Sequence, residues 1–317
     1  MTKHELAAQI VINKCLDVQK DESVLILATE PPVEAASLLY EASVKKSKHT
    51  FLLQLPRLAP QEGLHAAIAG LMKQMHTVIA VTSPSLSHTE ARRQARRAGS
   101  SISTLRTVRI KSFARIADAD FEKINRLSKK LADILSMASE ARVTSVNGTD
   151  LRIPIAKHKG FADTGILHLP GAFSNLPAGE ASIAPVEGAC EGLLVVDSGM
   201  GIHPEDKEQL SIIIKEGRAV RISGGNAARK LSRQLSLFGP NSRIIAEFGI
   251  GANDAAQLSG CTLEDEKVLG TIHIGLGNNV SFGGTTDVPI HLDAVVCMAS
   301  VEIDGKQIMS RGKMLID

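Results

Sequence analysis

SVLILA, residues Ser23–Ala28, places five apolar side chains in succession between the charged DE before it and the TEPP after it. A run this short, uninterrupted and rich in branched side chains reads as a strand buried on both faces, which is what a parallel sheet covered by helices requires. TVIAV at Thr77–Val81 repeats the pattern, and Phe51–Leu55 and the weaker Ser101–Thr104 supply two more strands. Helical spacing fills the intervals. Leu6, Ile10, Val11, Cys15 and Val18 share a face over Lys3–Val18, Pro32 opens a stretch that runs to Val44 before KKSKH, and Glu62–Met75 and Thr89–Ala98 follow. Strand alternating with helix four times predicts a doubly wound α/β domain with a parallel sheet. The turn after the first strand is TEPPVEAA, residues 29–36, and not GxGxxG, so a dinucleotide-binding reading fails.

A helix over Asp118–Met137 leads into a different texture. Past Arg142 glycines are frequent and strands short, with one further helix expected at Asn226–Phe238. ARVTSVNGTDLRIPI (141–155) and GLLVVDSGMGI (192–202) read as hairpins, with NG and SG turns between apolar runs. The expectation is an N-terminal α/β domain over 1–138 and a strand-rich α+β metal-binding domain over 139–317.

Composition narrows the functions. Of 317 residues, 44% are apolar and 22% charged, which is ordinary for a soluble protein with a large core. One tyrosine, no tryptophan and eight phenylalanines leave little for base stacking or for aromatic sugar platforms. Residues 1–146 carry 21 Lys and Arg against 14 Asp and Glu, and the remainder 15 against 20, recovering the totals of 36 and 34. The basic excess includes Arg92, Arg93, Arg96 and Arg97, spaced as a solvated helix face, with no motif that would make it a nucleic-acid stripe. Cys15, Cys190, Cys261 and Cys297 form no CxxC pair and read as reduced thiols. No apolar run reaches the roughly eighteen residues of a membrane span, and the start has no signal-peptide pattern, so a cytoplasmic protein is expected.

The acidic half holds the chemistry. Glu180 ends NLPAGE, where proline and glycine shape the turn that delivers the carboxylate. Glu247 drops a charge between an apolar strand and a glycine-rich turn in IIAEFGIGAN. His273 interrupts the apolar strand TIHIGLG, with Glu266 seven residues before it in DEK. His291 and Asp293, in HLD, share a strand face because side chains repeat every second residue. Each has a plain structural alternative, a satisfied strand histidine or a surface glutamate. Together, carboxylates with two histidines suit a hard-to-borderline divalent metal, in one or two ions.

NLPAGE, AEFGIGAN, DEKVLGTIHIGLG and HLD, in that order, resemble the aminopeptidase T and aminopeptidase S family of metallo-aminopeptidases. The resemblance implies a homodimer with two divalent ions (zinc, cobalt or manganese) held by Glu180, Glu247, Glu266, His273, His291 and Asp293. Glu266 or Glu247 would act as general base on a metal-activated water, and short peptides or small amides would be substrates. Two departures stand beside it. The family's tyrosine, seven residues beyond the strand histidine, is Val280 here, and the segment from His273 to His291 is shorter. That segment, GLGNNVSFGGTTDVPIHLD, is similar instead to the 2,5-dihydroxypyridine dioxygenases, which bind one ferrous ion through two histidines and an aspartate. At the place of their first histidine stands Glu247. The expected function is a metal-dependent aminopeptidase or narrow amidase; the alternatives are a mononuclear iron ring-cleaving dioxygenase or a metal-binding relative without activity.

Overall fold

The computed structural model describes residues 1–29, 34–56, 63–105, 110–203 and 209–316. They form two compact units, each made of two chain segments: Met1–Asn125 with Asp163–Ala178, and Arg126–Ala162 with Gly179–Asp317. The sequence suggests one cut, at 138/139. The interleaving arises because the chain returns to the first unit after leaving it.

The first unit is built on a five-stranded parallel sheet in the order Thr50–Leu55, Val24–Thr29, Thr77–Val81, Ser101–Thr104, Phe173–Asn175. Val24–Thr29 and Thr77–Val81 are buried at every position, as strands covered on both faces must be. The edge strand exposes Phe51 and Leu52. The fifth strand, Phe173–Asn175, is the return, and three residues give it no periodicity to read.

Several expected helices differ at their ends. The first is α-helical only over Lys3–Ile10, where Thr2 and Glu5 form a reciprocal cap, and continues as a π-helical turn, Val11–Cys15. The second spans Glu34–Val44, and its expected start at Pro32 lies outside the described residues. Ala66–Met72, Glu90–Arg97 and Phe121–Met137 follow, with Glu62 again outside the described residues. A short helix, Ile110–Arg115, has no counterpart in the sequence pattern.

The reading of four solvated arginines needs one correction. Arg92 is buried, its guanidinium 4.3 Å from the centre of the Phe173 ring and its Nε donating to the Ser87 carbonyl at 2.9 Å. Burial, then Arg96 and Arg93, depress its pKa to about 9. The fifth strand supplies the ring that covers it.

The second unit contains an eight-stranded sheet, Arg218–Ser223, Leu210–Lys215, Glu191–Val196, Asp150–Pro154, Glu140–Thr144, Ser300–Ile303, Lys306–Ser310 and Lys313–Met314. Its second sheet runs Ser198–Gly199, His291–Val296, Ile272–Gly277, Ile245–Gly251, Glu180–Ile183 and Phe161–Asp163. The NG hairpin forms as expected, Thr144 opposite Asp150. The second segment turns at Met200 and Gly201, just past the expected SG, where Gly199 pairs with Ile202, and the two flanking strands do not pair with each other. Glu191–Val196 belongs to one sheet and Ser198–Gly199 to the other, so the chain switches sheets at Asp197. One apolar cluster takes Val143, Leu151, Leu194 and Ile212 from the first sheet and Ile183, Phe248, Ile274 and Val296 from the second. The helix Gly225–Ser236 adds Leu231 and Leu235. No helix among the described residues is long and apolar enough to cross a membrane.

Candidate metal centre

The second sheet has one apolar face and one chemical face, and strand register decides which residues go where. Gly251 lies opposite Glu180, Gly249 opposite both Ser182 and His273, and Gly275 opposite both Glu247 and Asp293; Gly277 lies opposite His291. Directly opposed residues share a face. Glu180, Glu247, His273, His291 and Asp293 therefore project to one side, while Ala181, Phe248, Ile250, Ile272, Ile274 and Ala294 pack into the core on the other.

One irregularity makes this consistent. Ile245 and Glu247 are two apart and would share a face in a regular strand. The pairing passes from Ile245 opposite Leu276 to Glu247 opposite Gly275, so Ala246 is an extra residue. This bulge sends Ile245 into the core and Glu247 to the chemical face.

The glycines provide the room. A Cβ on Gly249 would lie 2.1 Å from Cε1 and Nε2 of His273, and one on Gly275 would lie 2.9 Å from His291 Cε1 and 3.0 Å from Asp293 Oδ1. Any side chain there would displace an imidazole. Gly179, at φ +119°, lets the chain pass Asn253 just before Glu180, where a Cβ would come within 2.6 Å of the asparagine's own.

Two overlapping trios result. Potential ligand atoms of Glu247, His291 and Asp293 lie within 4.8 Å of one another, and so do those of Glu180, Glu247 and His273. Glu247 belongs to both: Oε2 is 2.9 Å from His291 Nε2, and Oε1 is 3.5 Å from His273 Nε2. His291 Nε2 is also 3.0 Å from Asp293 Oδ1, and His273 Nε2 is 3.4 Å from Glu180 Oε2. Behind the ring, His291 Nδ1 lies 2.8 Å from the Asn278 carbonyl, to which it donates. That bond holds a proton on Nδ1 and aims Nε2 at the carboxylates, so Nε2 is the nitrogen that can ligate a metal once it gives up its proton. The donor set and this orientation fit a divalent cation.

Glu266 belongs to neither trio among the described residues. It is buried and reaches the site through a residue the sequence reading passed over. Lys267 is fully buried, its Nζ 2.6 Å from Glu180 Oε1 and 2.8 Å from Glu266 Oε1. In sequence it is one more charge in DEK.

The electrostatics follow from burial set against pairing. Burial pushes Glu247 upward, but hydrogen bonds and charge from His273 and His291 hold it well below the ordinary carboxylate range. Burial lowers His273, yet the charges of Glu180, Glu247 and Glu266 bring it to about 9. His291 is desolvated too, and Asp293 and Glu247 raise it well above the usual imidazole value. Asp293 is lowered, because His291 overcomes the effect of burial. Glu266 goes the other way: burial raises it, and Lys267 offsets this only in part. Without a metal ion, imidazole protons balance the carboxylates; an ion would replace them.

The family described as NicX, 2,5-dihydroxypyridine 5,6-dioxygenase, matches residues 9–316. No curated protein matches. Among solved structures, the 2,5-dihydroxypyridine dioxygenase of Pseudomonas putida superposes with a TM-score of 0.85 at 20% identity, over 100% of this chain and 99% of its own. Wild-type AmpT of Thermus thermophilus superposes with a TM-score of 0.70 at 18% identity, over 99% of each chain. At these identities the likeness is one of fold.

Proposed function

The chain belongs to the NicX, or 2,5-dihydroxypyridine 5,6-dioxygenase, family, and from that premise we propose that it is a metal-dependent enzyme that opens a dihydroxylated aromatic ring with dioxygen. Family membership thus favours the dioxygenase, the alternative in the sequence, over the aminopeptidase that its motifs put first. The observation that carries it is the trio Glu247, His291 and Asp293, whose imidazole is oriented from behind by the Asn278 carbonyl. These three would hold the ion, and ferrous iron bound there would supply the one-electron chemistry that dioxygen needs. The set has one histidine and two carboxylates where the usual facial arrangement has two histidines and one.

The remaining residues position and neutralise. His273 Nε2 lies 3.4 Å from Glu180 Oε2 and 3.5 Å from Glu247 Oε1, where a protonated ring would balance charge on both carboxylates. The other oxygen of Glu247, Oε2, is directed at His291. Asp293 and Glu247 both face His291 Nε2, so binding of a cation there requires that nitrogen to give up its proton.

A second reading, a metallo-aminopeptidase or narrow amidase with two ions, is favoured by the second trio, Glu180, Glu247 and His273, which shares Glu247 with the first. Its water would be activated by the ions. Against it, Glu266, expected as a base, is ion-paired with Lys267, and half-buried Val280 has no hydroxyl to offer an oxyanion. The test sets oxygen uptake with ferrous iron and 2,5-dihydroxypyridine beside hydrolysis of amino-acid anilides with zinc, cobalt and manganese. Oxygen consumed in step with loss of the ring's absorbance is expected. Anilide cleavage without oxygen uptake would put the peptidase in its place.

A further inference from the structure

We infer that the Lys267 ammonium is a resident cation in the Glu180–Glu266 half of the site and limits the protein to one divalent ion, held by Glu247, His291 and Asp293. The inference rests on the metal-centre reading above and specifies its stoichiometry.

Lysine is seldom buried completely, because taking an ammonium out of water is costly unless anions receive it. Lys267 has no exposure at all and has two receiving carboxylates, Glu180 Oε1 at 2.6 Å and Glu266 Oε1 at 2.8 Å. Its backbone is fixed as firmly as its side chain. The Lys267 carbonyl accepts from Asn253 N at 2.9 Å, and its own N–H donates to the Glu264 carbonyl at 2.9 Å. The ammonium is thus placed by the fold and does not swing in from a flexible loop.

Its position decides what else can bind. Glu180 is the carboxylate that a second ion would need, together with Glu247 and His273. One of its oxygens already accepts from Lys267, while the other faces His273 Nε2 at 3.4 Å. An ion in that trio would sit one carboxylate away from a fixed positive charge, in a site screened from water. Glu266, the carboxylate that could complete its coordination, is taken by the same ammonium. In the other trio Glu247 Oε2 and Asp293 Oδ1 face His291 Nε2 at 2.9 and 3.0 Å, away from the Glu180 and Glu266 oxygens that the ammonium occupies. Two trios written into one sheet face therefore become one metal position and one ammonium position.

The experiment counts ions. Chelator-stripped protein is reloaded with manganese, zinc or, anaerobically, ferrous iron, desalted, and assayed by plasma emission; the manganese form is also examined by electron paramagnetic resonance. Wild type should hold one ion per chain and give the six-line spectrum of isolated manganese. Lys267→Met should take up two and show exchange coupling, and adding Glu180→Gln should return it to one. Two ions or a coupled spectrum in wild type would overturn the inference and leave the metal centre standing, as would a single ion in Lys267→Met. No ion with any of the three metals would overturn the metal-centre reading itself. Removing Lys267 leaves two buried carboxylates without their partner; if that variant does not fold, Lys267→Gln, whose neutral amide can still donate to a carboxylate, takes its place. Two ions per chain are then expected, and one ion would overturn the inference.

Discussion

The two histidines of the site lie on adjacent strands, face the same carboxylate, and are held in opposite ways. His291 is held by a hydrogen bond, Nδ1 to the Asn278 carbonyl at 2.8 Å. His273 is held by shape, its ring over Gly249, and its Nδ1 has no hydrogen-bond partner among the described residues. A ring whose Nδ1 donates to a carbonyl can release only its Nε2 proton to a metal and stays aimed as it does so. The His273 Nδ1 has no such partner among the described residues to fix which nitrogen keeps the proton. The difference supports the proposed division, in which His291 would ligate and His273 would balance charge.

The largest expected effect tests the ligating side. Asp293→Ala removes an anion facing His291 and should abolish metal binding while the protein still folds, since Asp293 is at the solvent-facing end of the trio and outside the apolar cluster. Activity should fall beyond the roughly 10- to 100-fold that loss of an outer partner costs. Retained metal with lost solubility would make Asp293 structural. A related measurement is melting with and without chelator, because an ion that binds only the folded chain must raise the transition.

Next come the glycines, which separate the two sides. Gly275→Ala presses on His291, Asp293 and Glu247 together, and should weaken metal binding as well as stability. Gly249→Ala presses first on the His273 ring, which supplies all three of the nearest atoms. It should cost about 1–3 kcal/mol as an overpacked site, read by denaturant titration, with metal content unchanged. Equal loss of metal in both variants would show that the two histidines are not divided as argued.

A smaller effect is expected from pH. His273 is raised from 6.5 to about 9 by its carboxylates. A group whose folded pKa is raised gives stability that is complete below the unfolded value and is lost as pH climbs through the folded one. Chelated protein should therefore lose melting temperature between about pH 6.5 and 9. A flat profile over that window would mean that His273 is not the proton carrier.

How much of this the sequence discloses depends on range. SVLILA and TVIAV are strands because of what they contain, and HLD shares a face because of strand geometry, so both are legible locally. Phe173–Asn175 is a strand only because Ser101–Thr104 lies beside it, and Arg92 is buried only because Phe173 covers it. Lys267 and Glu266 look like surface charge in DEK; what makes their burial tolerable is the pairing of Lys267 with its neighbour Glu266 and with Glu180, almost ninety positions away. The bulge at Ala246 has no compositional mark either, yet without it Glu247 would not face His291. The residue types of the candidate site can be read from sequence, but the ion pair that divides them depends on the tertiary fold.

The smallest expected effect lies behind His291. The Asn278 carbonyl that orients its ring begins a loop, residues 278–286, tied to Glu187. The Glu187 carboxylate accepts from Asn279 Nδ2 at 2.7 Å, Thr285 N at 2.8 Å, Thr285 Oγ1 at 2.6 Å and Thr286 Oγ1 at 3.2 Å. Burial raises its pKa, but these donors, Thr285 foremost, bring it down to about 2. The sign is that of a depressed carboxylate: the tie is complete above the unfolded value near 4.5 and is lost as pH falls through about 2. Glu187→Gln keeps the size and some hydrogen bonds but removes the charge, so the loop should loosen without unfolding. Because Glu187 is exposed, solvent screens much of the interaction. Metal affinity should fall less than roughly tenfold, the lower end for an outer partner, while amide exchange in residues 278–286 rises. A change confined to exchange, with affinity untouched, would show that the backbone holds the Asn278 carbonyl in place without the Glu187 tie.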